Sequence, residues 1–163
     1  MTTFRPTSAK VLQALFNILG DVSETRFLDL FSGSGQVALT AFSKKAAFVC
    51  LVESDKRNFG EILKKVPAEI KCMNLDVRRA LPKLLRDGQV FDIIFADPPY
   101  MLGWGRELAL LLEANEKLLA SGGVIVFEHS QREKLSFNDQ WKINDRTYGE
   151  TVLTFIKRRN ENA

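Results

Sequence analysis

Phe27-Leu28-Asp29-Leu30-Phe31-Ser32-Gly33-Ser34-Gly35-Gln36-Val37-Ala38 decides the fold. An apolar run with one acid enters a glycine-bearing turn, and Gln36 to Phe42 continues beyond it, so the stretch reads as strand, turn, helix. The turn satisfies G-x-G-x-x-G/A, with two glycines where backbone amides can approach a ligand unobstructed. Downstream, Ala47 to Val52 is a buried-strand run and Lys56 to Lys65 a polar helix ending before Pro67. A strand near Ile70 to Leu75, a short helix around Pro82 to Leu85 and a strand over Phe91 to Ala96 continue the alternation. Glu107 to Leu119 reads as a leucine-rich helix stopped by Gly122-Gly123, and Val124 to Phe127 as the fifth strand. Upstream, Thr7 to Leu19 carries Val11, Leu12, Leu15, Phe16 and Leu19 on one helix face, opened by Pro6 and Thr7 and closed by Gly20.

Five βα units with room for right-handed crossovers predict an α/β, doubly wound, mostly parallel sheet with helices on both faces. Trp141 to Tyr148 and Thr151 to Lys157, joined through Gly149-Glu150, leave no space for a crossover helix. They predict a closing antiparallel hairpin, which makes the sheet seven-stranded and mixed.

The 163 residues suit one compact domain spanning 1–163. That domain divides into an N-terminal segment and helix over 5–20, a βα core over 26–128 and the hairpin over 141–157. Charged residues at 26% and hydrophobic ones at 45% exclude a disordered or fibrous chain. No apolar run approaches the 18 or so residues of a membrane span, and MTTFRPTSAK has no hydrophobic signal core, so a cytoplasmic protein is expected. Lys plus Arg exceeds Asp plus Glu by 23 to 20, a basicity too weak by itself to argue for nucleic acid. Cys50 and Cys72 lack metal-ligand or disulfide spacing and read as reduced core residues, with no metal. A G-x-S-x-G elbow and a P-loop are both missing, which argues against a serine hydrolase or P-loop nucleotidase and leaves His129 a structural role.

Ligands of doubly wound sheets sit beyond the carboxyl ends of the strands. Five acids end the five strands read above: Asp29, Glu53, Asp76, Asp97 and Glu128. Carboxylates are seldom buried without partners, so core packing does not explain that series. Glu53 follows Gly33 by 20 residues, where an acid accepts hydrogen bonds from ribose hydroxyls. A nicotinamide dinucleotide and S-adenosylmethionine both fit that frame. Three details favour the second. Asp29 can face the cationic amino-acid end but would repel a pyrophosphate, Asp76 is placed to accept from the adenine amine, and Asp97-Pro98-Pro99-Tyr100 ends the fourth strand.

That tetrapeptide supplies one chemical package. Prolines fix φ and lack N–H groups, so the Pro98 carbonyl can point outward from the stiff Pro98-Pro99 segment. An exocyclic purine amine is a poor nucleophile because its lone pair is delocalised. If Asp97 and the Pro98 carbonyl each accept one of its N–H bonds, the nitrogen is drawn toward tetrahedral geometry, poised for in-line transfer. Asp97 can take the released proton, and Tyr100 offers a face for an extruded base. Met101 to Gly105, with glycines around Trp104, reads either as a loop closing over that base or as core, and Glu128 as a partner for substrate or an arginine.

With these residues in hand the chain resembles the bacterial 16S rRNA guanine-N2 methyltransferases, a DPPY-type family dependent on S-adenosylmethionine with a Rossmann-like class I fold. The resemblance rests on Arg5-Pro6-Thr7-Ser8 and the helix ending Ala14-Leu15-Phe16-Asn17-Ile18-Leu19, on Leu28 to Gly35, on Val52-Glu53, on Asp97 to Tyr100, and on Tyr148-Gly149 with Thr151. It implies that Asp29, Gly33 and Gly35 contact the methionine end of the cofactor, Glu53 the ribose and Asp76 the adenine. It further implies that the segment containing Arg5 and Thr7 covers the cofactor, that Asp97 to Tyr100 hold the guanine, and that the partner is ribosomal RNA of the small subunit; a monomer is the simplest expectation for the chain itself. The basic hairpin usual upstream of RPTS has no counterpart in Met1 to Phe4. Adenine-N6 methylation of DNA or RNA uses the same package and is the alternative; a nucleoside-binding or RNA-binding module, or an NAD-dependent oxidoreductase, ranks lower.

Overall fold

A computed structural model describes residues 7–99 and 103–159. Arg5 and Tyr100 therefore lie outside the described residues. Helix α1 (Ala9–Leu19) begins one cap later than its apolar spacing suggests, because the Ser8 side chain accepts the Val11 N–H. Five parallel strands follow, β1 (Arg26–Leu30), β2 (Phe48–Val52), β3 (Lys71–Met73), β4 (Phe91–Ala96) and β5 (Leu119–Ser130). They are joined by α2 (Gln36–Ser43), α3 (Lys56–Leu63), α4 (Val77–Arg86) and α5 (Trp104–Ala114). The antiparallel strands β6 (Trp141–Tyr148) and β7 (Thr151–Arg158) close the sheet, in the order β3-β2-β1-β4-β5-β7-β6. The doubly wound sheet with its terminal hairpin is thus as expected, although no helix follows the fifth strand among the described residues.

Two apolar clusters cover the two faces. Val11, Leu15, Val37, Ala41 and Ile62 bring α1, α2 and α3 onto one face. Ala80, Leu84, Leu108 and Leu112 bring α4 and α5 onto the other. The crossovers change face between β1 and β4, and that is the topological switch point where such sheets open a crevice.

Two boundaries differ from expectation. Helix α4 starts five residues before Pro82, because the Asp76 side chain caps it by accepting the Arg78 N–H and the apolar stripe Val77, Ala80, Leu81, Leu84 is already in helical phase. Helix α5 ends at Ala114, where the Asn115 side-chain amide donates to the Leu111 carbonyl, and Gly122-Gly123 lie inside β5. Strand pairing jumps from Phe91–Leu119 to Ile93–Val124, so the glycines sit in an irregularity of the strand. A Cβ on Gly123 would lie 3.0 Å from the Asp92 carbonyl oxygen and 2.9 Å from that of Ala120. The pair permits close backbone approach and does not stop a helix.

Candidate active site

Strand register places the acids. Asp29 pairs with Leu51 on β2 and Phe95 on β4, and Phe95 pairs with Val126 on β5. Glu53, Asp97 and Glu128 each follow those partners by two residues, and side chains alternate faces with period two. Four carboxylates therefore share the sheet face covered by α1, α2 and α3, with Asp29 one layer below the other three. They line one cleft with Thr7, Gly33 and Pro98 among others, and its empty volume, open mouth included, is about 1130 Å³.

The turn after β1 has three residues in left-handed backbone: Phe31 at φ 57°, Gly33 at 61° and Gly35 at 81°. Only glycine adopts that region without cost, so Phe31 carries local strain. Its ring packs edge-on against Trp104, with centroids 4.9 Å apart. Glu53 organises the turn: Oε1 accepts the Gly33 N–H at 2.7 Å and Oε2 the Asp55 N–H at 2.9 Å. Each carboxylate oxygen keeps acceptor capacity toward the cleft.

Asp29 is 1% exposed. Burial pushes its carboxyl up to about 7, against hydrogen bonds from the Ser32 hydroxyl and the Ala38 N–H that favour the anion; Glu53 and Glu128 nearby add to the rise. Thr7, just ahead of α1, donates toward Glu128 Oε1 at 3.1 Å and lies 3.5 Å from Asp97 Oδ2, which ties the start of α1 to the ends of β4 and β5. Pro98 and Pro99 form the adjoining wall.

Most of the sequence-selected residues meet here: Thr7, Asp29, Gly33, Glu53, Asp97, Pro98 and Pro99 line the cleft, and Gly35 caps α2 behind it. Asp76 is not among the lining residues. It caps α4 and pairs with Arg78, which also binds Glu107. Trp104 is buried at the start of α5 beneath the Arg78 guanidinium, 4.2 Å from its ring centroid, so the core alternative holds for it. His129 is fixed between Thr154 Oγ1 and the Ser130 carbonyl, away from the cleft lining. Cys50 is a buried thiol pushed up to about 12 by desolvation and is no nucleophile. Ser32, which hydrogen-bonds Asp29, was not singled out in the sequence; its only signal is its place before Gly33.

S-adenosylmethionine fits this donor set. Buried Asp29, with Glu53 and Glu128 near it, gains by ionising against a cationic ligand group, a left-handed glycine turn exposes amides, and the Glu53 carboxylate stands at the second strand's end, where such folds receive a ribose. The same four acids disfavour the pyrophosphate of a dinucleotide.

Sheet order, switch-point cleft and strand-end acids define a Rossmann-like class I methyltransferase. More narrowly, the chain belongs to the family described as conserved hypothetical protein 95, whose model matches residues 1–157. Ribosomal RNA small subunit methyltransferase D of Buchnera aphidicola is 33% identical over 144 residues, which cover 85% of this chain and 74% of that protein. YlbH of Bacillus subtilis, provisionally named an rRNA methyltransferase, is 30% identical over 170 residues, covering 97% and 90%. Among solved structures, yhhF of Escherichia coli, provisionally a methyltransferase, superposes with a TM-score of 0.82 at 24% identity and covers 98% of this chain and 92% of its own. At that identity the likeness speaks for the fold.

Proposed function

We propose that this chain transfers a methyl group from S-adenosylmethionine to the exocyclic N2 amine of a guanine in 16S rRNA, acting as a single-domain monomer on the small ribosomal subunit in the cytoplasm. The observation that carries the reading is the juxtaposition of Asp97 and Pro98 with the buried acids Asp29 and Glu53 in one cleft. The family membership and the rRNA methyltransferase named among its relatives support the substrate class.

When bound, the cofactor supplies an electrophilic methyl on a sulfonium. Asp29, with the amides of the Gly33 to Gly35 turn, holds the cationic methionine end. Glu53 uses its remaining lone pairs on the ribose hydroxyls. Asp76, outside the cleft lining at the head of α4, keeps lone pairs beyond its contacts with Arg78 and takes the adenine amine with them. Thr7, with Arg5, covers the bound cofactor and thereby excludes water from the strand ends. Asp97 and the Pro98 carbonyl accept the two N–H bonds of the target amine, which localises the nitrogen lone pair and aims it away from both acceptors. The nitrogen loses one proton after bonding carbon, and Asp97 is the base in contact to receive it. Pro99 stiffens the segment and Tyr100 stacks on the extruded base.

Labelled methyl transfer to unmodified small subunits, 16S RNA and DNA in parallel, followed by nucleoside identification, tests this reading. N2-methylguanosine from the ribosomal substrates is expected, and N6-methyladenine would replace it with the alternative chemistry. Asp97→Ala should abolish transfer while S-adenosylhomocysteine binding stays within a few-fold. Full activity in that variant would overturn the assignment.

A further inference from the structure

The segment that leaves β5 starts at the cleft wall and is tied down on two sides. Ser130 pairs with Thr151, which lines the cleft. Gln131 donates its backbone N–H to the Glu150 carbonyl at 3.2 Å and its side-chain amide to the Gly149 carbonyl. Glu133 donates its N–H to the Ser130 carbonyl, and its Oε2 accepts the Gly105 N–H at 3.0 Å, at the head of α5. Leu135 and Phe137 pack on the apolar cluster that holds α4 and α5. Residues 133, 135 and 137 are thus turned inward, while Arg132 and Lys134 between them stand exposed. A Cβ on Gly105 would lie 3.4 Å from the Lys134 carbonyl oxygen, so the first turn of α5, with its exposed Arg106, abuts this segment.

Among the described residues, none of these three side chains has an ion-pair or hydrogen-bond partner. The fold gains nothing from their charge. A cation in the first turn of a helix opposes the positive end of the helix dipole, and three neighbouring cations repel one another. Glu133, the acid among them, is spent on the α5 head. A fixed, uncompensated cluster of this kind attracts dense negative charge, and a nucleic-acid backbone carries it. We propose that Arg106, Arg132 and Lys134 form a docking surface for RNA phosphates on the α5 side of the cleft, next to the target base. The inference rests on the RNA methyltransferase reading above and deepens it by naming a surface that holds the substrate. The anchored backbone means that little ordering is needed when RNA binds.

Two triple variants provide the test. One combines Arg106→Ala, Arg132→Ala and Lys134→Ala; the control combines Lys117→Ala, Lys142→Ala and Lys157→Ala, exposed residues at the opposite end of the sheet, and removes the same charge. Binding to small subunits and to 16S RNA is measured across a salt series with S-adenosylhomocysteine present. The slope of log affinity against log salt should become shallower by about 2–3 in the first variant and by less than about 1 in the control. KM for the ribosomal substrate should rise about 10- to 100-fold in the first variant, with kcat and S-adenosylhomocysteine affinity within a few-fold. Equal slope changes in the two variants would reduce the surface to diffuse charge, and an unchanged slope in the first would leave these cations without RNA contact; either overturns the proposal. Tighter wild-type binding to duplex DNA than to either RNA substrate overturns it as well. Should the triple variant not fold, each single alanine variant should change the slope by about 1. Binding is read without chemistry, so protein that holds RNA through these cations and labels none fails the methyltransferase reading alone, whereas wild-type protein that binds no RNA overturns the docking surface.

Discussion

Asp29 holds a proton that an exposed aspartate would release. Its folded value of about 7 stands above the ordinary 3.8, so between those pH values the folded chain binds a proton that the unfolded chain has given up. Stability of the unliganded protein should therefore fall as pH rises across that window, by up to about 1.4 kcal/mol per pH unit from this group. Asp29→Asn should remove that component. Urea midpoints of both proteins from pH 4 to 7 check it, and a constant difference between them would refute the burial argument. The acids themselves were visible in the sequence because each closes an apolar run. Their partners were not. The Thr7 hydroxyl reaches Glu128 across 121 residues of chain, and Glu53 binds the amides of Gly33 and Asp55 through backbone geometry that no local pattern encodes. Asp76 looked like a strand-end acid of the same kind, but β3 stops at Met73 and leaves it capping a helix.

At the level of elements, the irregularity in β5 depends on one position. A Cβ on Gly123 would come within 2.7 Å of Leu119 Cδ1 and 3.0 Å of the Asp92 carbonyl oxygen. Gly123→Ala should cost about 1–3 kcal/mol, read as a lower thermal midpoint with an unchanged acid cleft. An unaltered midpoint would mean that the strand opens freely there. This is also where the sequence misleads. A leucine-rich helix followed by two glycines has the pattern of a helix and its terminator, whereas α5 ends earlier through the Asn115 side chain and β5 begins with Leu119, whose burial against β4 outweighs helix propensity. The strands β1, β2 and β4 were legible because strands buried on both faces are continuously apolar, and the β6–β7 hairpin because two residues leave room for nothing else.

Across the whole molecule, the cleft is a consequence of topology. Helices α2 and α3 cover one face and α4 and α5 the other, so the sheet parts above β1 and β4 and the loops carrying Gly33, Glu53 and Asp97 surround the gap. A ligand bridging those loops couples to global unfolding, since it binds only when all of them are in place. S-adenosylhomocysteine at a hundred times its Kd should add about 2.7 kcal/mol to the unfolding free energy, which for a chain of this size is about 5–10 °C in Tm. Asp97→Ala should keep that shift, because its partner is the acceptor base. Glu53→Ala should lose most of it at the same ligand concentration, through the lost ribose contact and a turn whose Gly33 and Asp55 amides are no longer held. Differential scanning calorimetry with and without ligand separates the two. A full shift in Glu53→Ala would remove the ribose role, and a shift produced by NADH in place of S-adenosylhomocysteine would return the cleft to dinucleotide chemistry.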